Sequence, residues 1–93
     1  MSQHTTVPIL KSLGDTTRLS IVQKLVRDGC RVSGSDIVQD CAKFLELSQP
    51  TMSHHFARLV QSGVLIEYKH GTEKQYELNK QLLAQVGIDP TKL

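Results

Sequence analysis

Between Leu45 and Leu65 the chain reads LELSQPTMSHHFARLVQSGVL, and no other run limits its folding choices so tightly. Ser48 offers a hydroxyl to cap a helix, and Pro50 then falls in the first turn, where its missing N–H costs nothing. Met52, Phe56 and Leu59 recur at helical spacing, and Gly63 stops the helix ahead of an apolar strand. Opposite that apolar stripe stand Gln49, Thr51, Ser53, His54 and Arg58, and no carboxylate occurs from Ser48 to Ile66. A helix with one stripe to bury and another of hydrogen-bonding groups suits the major groove of DNA. The spacing predicts such a helix over 48–62.

The flanking segments carry their own punctuation. Val7, Leu10 and Leu13 predict a short first helix over about 6–13, ended by Gly14. Asp15 is a good cap for a second helix, whose Leu19, Val22, Leu25 and Val26 form an apolar face before Gly29. Arg31–Ser33 reads as a short extended piece. Ser33 or Ser35 then caps a third helix with Ile37, Val38, Cys41, Ala42 and Leu45 inward, and Glu46-Leu47 turns tightly into the helix from Ser48. After Gly63 the period changes to two, with Ile66 and Tyr68 on one side and Glu67 and Lys69 on the other. His70-Gly71-Thr72-Glu73 is a turn, and Gln75–Leu78 alternates on the return strand. Asn79 can cap a last helix over 79–87, which carries Leu82, Leu83 and Val86.

Four helices, a β-hairpin and a closing helix give a mainly α fold of α-α-α-α-β-β-α order. Two helices joined by a tight turn ahead of a hairpin are a winged helix-turn-helix, here with the wing over 64–78. Ninety-three residues suffice for one domain, 1–93, and are too few for two. With no Trp and only two Phe and two Tyr, its core must rest mainly on Leu, Ile and Val. A net charge of +2 permits nucleic-acid binding without arguing for it, so the case rests on where the charges lie. The leading MSQHTTVPIL lacks a basic region followed by an apolar one, and no segment is long enough to span a bilayer, which points to a cytoplasmic protein.

Three runs together resemble the ArsR/SmtB family of small bacterial repressors. They are Leu13-Gly14-Asp15-Thr16-Thr17-Arg18-Leu19-Ser20-Ile21 and Leu47-Ser48-Gln49-Pro50-Thr51-Met52-Ser53-His54-His55-Phe56, followed by Leu59, Gly63, Val64, Leu65, Gly71 and Tyr76-Glu77-Leu78. The resemblance runs from about Leu10 to Leu83. It implies a homodimeric, sequence-specific repressor of its own or a neighbouring operon, with double-stranded operator DNA and a second copy of itself as partners. It also implies a dimer interface on the terminal helices, here Val7, Leu10, Leu13, Leu82, Leu83 and Val86. Short apolar end helices with little else to cover them agree with this, and a two-fold dimer matches a palindromic operator.

The chain departs from the family pattern in two places. Ser33-Gly34-Ser35-Asp36-Ile37 stands where the family's metal sensor has a C-V-C-D-L run, and serine hydroxyls are poor ligands for soft metals. No metal or other cofactor is therefore expected there. The third helix is also about one turn longer than usual, and Glu46 occupies a turn position where glycine is common. With a positive φ there, a side chain costs about 1 kcal/mol.

Ser48, Gln49, Thr51, Ser53, His54 and Arg58 are the base and phosphate candidates on the helix, Ser48 more as a cap than as a reader of bases. Gln pairs with adenine, Arg with guanine or phosphate, and Ser and Thr with either. Lys69, His70 and Lys74 cluster at the wing tip as candidates for the phosphate backbone, with Glu73 diluting their charge. His55, beside Met52 and Phe56, is expected to pack half-buried, and Arg18 to serve either structure or function. Cys41 lies on an inward helix face and Cys30 in a turn, so a thiol redox-sensing repressor using the pair is one alternative. A winged-helix module that binds protein is another. No phosphate loop, nucleophile elbow or H-E-x-x-H pair argues for an enzyme.

Overall fold

The computed structural model describes residues 3–28 and 31–93. Its helices are α1 (Gln3–Leu13), α2 (Thr16–Asp28), α3 (Gly34–Leu45), α4 (Gln49–Gln61) and α5 (Lys80–Gln85). Its strands are β1 (Arg31–Ser33), β2 (Leu65–His70) and β3 (Glu73–Leu78), and a 3-10 turn spans Pro90–Lys92. Helices α3 and α4 form the helix-turn-helix, and β2 and β3 form the wing. The expected order holds, with two additions. The extended piece at Arg31–Ser33 pairs antiparallel with β3, so the sheet has three strands in the order β1-β3-β2. Val32 lies opposite Tyr76 in that pairing, and in the hairpin Leu65 lies opposite Leu78 and His70 opposite Glu73. The closing 3-10 turn, capped by the Asp89 carboxylate on the Thr91 amide at 3.0 Å, is the second addition.

Local chemistry sets most of the boundaries. Asp15 accepts the Arg18 amide at 3.1 Å and caps α2, and Ser48 Oγ accepts the Thr51 amide at 3.2 Å and caps α4. Ser33 takes the cap position of α3 without a side-chain bond to its amides. Between α3 and α4, Glu46 sits in the left-handed region at φ 56°. The Glu46 amide bonds Lys43 O and the Leu47 amide bonds Ala42 O, which is the Schellman closure a helix makes when its C′ residue is left-handed. After α4, Gly63 turns the chain at φ 87°, and a Cβ there would stand 2.7 Å from Leu82 Cδ2. Only glycine satisfies both conditions.

Phe56, Met52 and Leu59 of α4 are fully buried, together with Ile21, Val22 and Leu25 of α2 and Val64 of the turn. The Phe56 ring lies 5.0 Å from that of Tyr76, tilted by 46°, which joins α4 to the wing. Ile9 in α1 and Leu83 in α5 are the placements that the sequence pattern did not anticipate. In α1 the fully buried residue is Ile9, while Val7 and Leu10 are 49% and 56% exposed and Leu13 is half-buried. The apolar arc of α1 is wider than one stripe. Its Ile9–Leu13 edge meets the core and its Val7–Leu10 edge faces out. In α5, Leu83 is fully buried in the chain's own core, so it is not available to an intermolecular face. Leu82 and Val86, beside it, are half-buried.

Candidate nucleic-acid interface

The apolar stripe of α4 buries one helix face and leaves the other exposed. Gln49, Thr51, Ser53, His54 and Arg58 are all exposed, while Met52, Phe56 and Leu59 hold the helix to the core. Ser48 is exposed too, but its hydroxyl is occupied. It accepts the Thr51 amide and donates to Thr51 Oγ1 at 2.9 Å, so Ser48 and Thr51 lock the first turn together. One turn on, Arg58 Nε donates to His54 Nε2 at 3.4 Å, so these two long side chains support each other along the exposed face.

Gln49 and Ser53 open onto a groove of about 560 Å3 between three elements. The start of α3 supplies Ser33, Gly34 and Ser35, and the wing supplies Thr72, Glu73 and Lys74. Gly34 makes this approach possible, because a Cβ there would lie 2.9 Å from Lys74 Cβ and 3.1 Å from Lys74 O. The groove therefore unites Gln49, Ser53 and Lys74, which the sequence pattern singled out. It also adds Ser33, Ser35 and Thr72, which it did not. Hydroxyls beside a helix N-terminus are a phosphate-binding signal, visible in the Ser33-Gly34-Ser35 run once α3 is placed.

Lys69, His70 and Lys74 are exposed on the wing, with Lys69 directly opposite Lys74 in the register. Like charges so placed repel. Lys74 Nζ relieves this by pairing with Glu67 Oε1 at 3.4 Å, so the dilution of charge comes from Glu67 as well as from Glu73 in the turn. Arg58 is separated from this groove and lines a different cavity, against α1 and α2.

Arg18 proves to be structural. Its Nε donates to Ser12 O at 2.8 Å, its Nη2 lies 4.0 Å from Asp15 Oδ2, and its Nη1 is 3.3 Å from His55 Nδ1. One guanidinium thus ties the end of α1 to α2 and α4, and His55 is the half-buried packing residue its position suggested. The Arg18 amide bonded to Asp15 holds that carboxyl below the usual carboxylate range. Cys41 is 1% exposed, and burial pushes its thiol up to about 11. A redox sensor needs the opposite, an accessible thiolate. Cys30, the other half of that alternative, lies outside the described residues. Among the described residues no three His, Cys, Asp or Glu side chains gather to hold a metal ion, and no helix is long and apolar enough to cross a membrane.

Residues 15–67 match the family model described as bacterial regulatory protein, arsR family. The arsenical resistance operon repressor of Staphylococcus xylosus is 35% identical over 83 residues, covering 89% of this chain and 74% of that protein. Its namesake in Staphylococcus aureus is 34% identical over 86 residues, covering 92% and 77%. Among solved structures, an ArsR-family transcriptional regulator superposes with a TM-score of 0.74 at 23% identity, over 92% of this chain and 82% of that one. At that identity it speaks for the fold alone. HlyU from Vibrio cholerae N16961 superposes with a TM-score of 0.67 at 28% identity, over 92% and 90%. The winged helix-turn-helix, the carboxylate-free exposed face of α4 and these matches agree: the chain belongs to the arsR family of bacterial regulatory proteins and is a DNA-binding transcriptional regulator.

Proposed function

We propose that the protein is a cytoplasmic homodimeric repressor that binds a palindromic operator, with α4 in the major groove and the wing on the phosphate backbone. The observation that carries this is the exposed face of α4. Gln49, Thr51, Ser53, His54 and Arg58 stand outward together, with no carboxylate among them. Gln49 and Ser53 at the N-terminal end are the base readers, Arg58 and His54 take bases or phosphates further along, and Lys69, His70 and Lys74 meet the backbone. Ser33, Ser35 and the α3 amides receive a phosphate in the groove beside the wing.

Support for a dimer comes from Val7 and Leu10, two large apolar side chains that α1 leaves about half exposed. Their burial against a second copy, with Leu82 and Val86 alongside and Leu13 at the edge, sets two α4 helices to read a two-fold site. The staphylococcal relatives are named as repressors of arsenical resistance operons. This chain carries Ser33 and Ser35 where the family's thiolates stand, so its control does not run through a soft metal held at the start of α3.

The test is anisotropy with the chain's own upstream DNA over a range of salt. Selective binding with a steep salt slope is expected. His54→Ala and Arg58→Ala should each weaken it by about tenfold or more while the oligomer survives. Operator affinity equal to wild type in both variants would show that this face is not the reader. No binding at low salt would return the fold to a protein-binding role.

A further inference from the structure

The cavity that receives Arg58 has the chemistry of an anion site. It lies between α1, α2 and the C-terminal half of α4, measures about 250 Å3, and is lined by Lys11, Ser12, Arg18, Arg58, Gln61 and Ser62 together with Pro8. Among the described residues three cations face it and no carboxylate does. Asp15, an acid bonded to its wall, is engaged by the amide and guanidinium of Arg18. Among the described residues Arg58 spends only its Nε, on His54, and Lys11 has no ion-pair partner.

Ser12 supplies an independent sign. It is 6% exposed, the one buried polar residue among those described, and its hydroxyl has no hydrogen-bond partner among them. Leaving a buried donor unpaired is unfavourable, and native structures seldom tolerate it without a water, an ion or a ligand. Ser12 belongs to the wall of the cavity that also collects the cations, with its Oγ turned away from solvent, so an occupant reaches the hydroxyl once that side chain rotates outward.

We propose that this cavity binds a tetrahedral oxyanion of the phosphate class, with Lys11 and Arg58 supplying charge, Arg18 supporting them, and the Ser12 side chain rotating to donate a hydrogen bond from Oγ. The volume suits such an ion. It lies below the roughly 300 Å3 at which drug-sized ligands begin, and it leaves room for a few waters of about 30 Å3 each. The occupant is either a free phosphate ion or a phosphate of the DNA backbone. Both arginines touch consecutive histidines of the reading helix, Arg18 at His55 and Arg58 at His54. An anion that draws the Arg58 guanidinium inward therefore weakens its hold on His54, and occupancy is felt on the face turned toward DNA.

Inorganic phosphate titrated into the full chain without DNA, at ionic strength held constant with chloride, reads the cavity alone by amide NMR. Saturable shifts confined to Lys11, Ser12, Arg18 and the 58–62 segment are expected, with affinity lowered about tenfold in Lys11→Gln. Lys11 is exposed, so that variant keeps the core intact. If free phosphate produces no shifts but Lys11→Gln flattens the slope of log affinity for operator against log salt by about one, the occupant is a backbone phosphate. Saturable shifts that ignore Lys11→Gln overturn the proposal. So does the absence of shifts when the slope is unchanged or no operator binding exists to measure. Because the first titration contains no DNA, failure of the recognition-face assignment leaves its result intact.

Discussion

Glu46 carries the only positive φ outside glycine among the described residues, and its amide closes the end of α3. A left-handed backbone costs a residue with a Cβ roughly 1–2 kcal/mol, while glycine costs about 0.5–1 kcal/mol in extra chain entropy. The difference favours glycine. Glu46→Gly should therefore stabilise the fold by about 0.5–1 kcal/mol in urea unfolding. An unchanged or lower midpoint would mean that the exposed Glu46 side chain contributes something the backbone geometry does not show. Ser12 and Cys41 illustrate opposite uses of burial. Burying the Cys41 thiol disfavours its ionised form, so the folded state is favoured while the thiol is neutral. That advantage fades as pH rises past the thiol's ordinary value near 9 toward about 11. The Ser12 hydroxyl, by contrast, is buried without a partner, and it gains one from an occupant of the neighbouring cavity only by rotating outward.

Among the elements, α5 depends most on its surroundings. Six residues are too few for a helix to persist alone in water. Asn79 anchors it, accepting the Leu82 amide on Oδ1 at 3.3 Å and donating from Nδ2 to Gly63 O at 3.0 Å, while its own amide bonds Val64 O. One side chain thus caps α5 and satisfies the turn that ends α4. Asn79→Ala loses both bonds and should cost about 1–3 kcal/mol, seen as a lower melting temperature. A cost of only a few tenths would mean that water replaces the Gly63 contact without loss. The cap at Asn79 was legible because a helix cap depends on residues within one turn of each other. The same holds for Asp15 and Ser48, and for the Met52, Phe56 and Leu59 stripe. Strand β1 was legible only as an extended piece. Three residues carry no period, and their pairing depends on β3, more than forty positions away.

For the molecule as a whole, the outward edge of α1 leaves Val7 and Leu10 about half exposed. Leu10→Glu places a charge on a 56% exposed position, so the monomer fold should survive by circular dichroism. With the proposed dimer contact on α1, light scattering should report a shift from dimer to monomer, and operator affinity should fall at least tenfold because one α4 helix then reads one half-site. A mass unchanged from wild type would move the interface elsewhere, with the 70% exposed Phe44 of α3 as the next surface to probe.

Taken alone, the chain's letters were enough for whatever local chemistry decides. They located the caps at Asp15, Ser48 and Asn79, the turn at Glu46, the switch from helical to strand period after Gly63, and an outward face of α4 free of carboxylates. Their order was enough to recognise a winged helix-turn-helix of a repressor family. Distant segments had to meet before the remaining features existed. Ile9 took the core place on α1, and Leu83 turned inward although its helix also carries half-exposed apolar neighbours. Ser33 and Ser35 joined Gln49 and Lys74 across one groove, and Lys11, Arg18 and Arg58 came to face one cavity. The reason is range. Caps and periods are set by neighbours within about four positions, whereas a groove or a cavity is a sum of weak contacts between segments that no short window contains together.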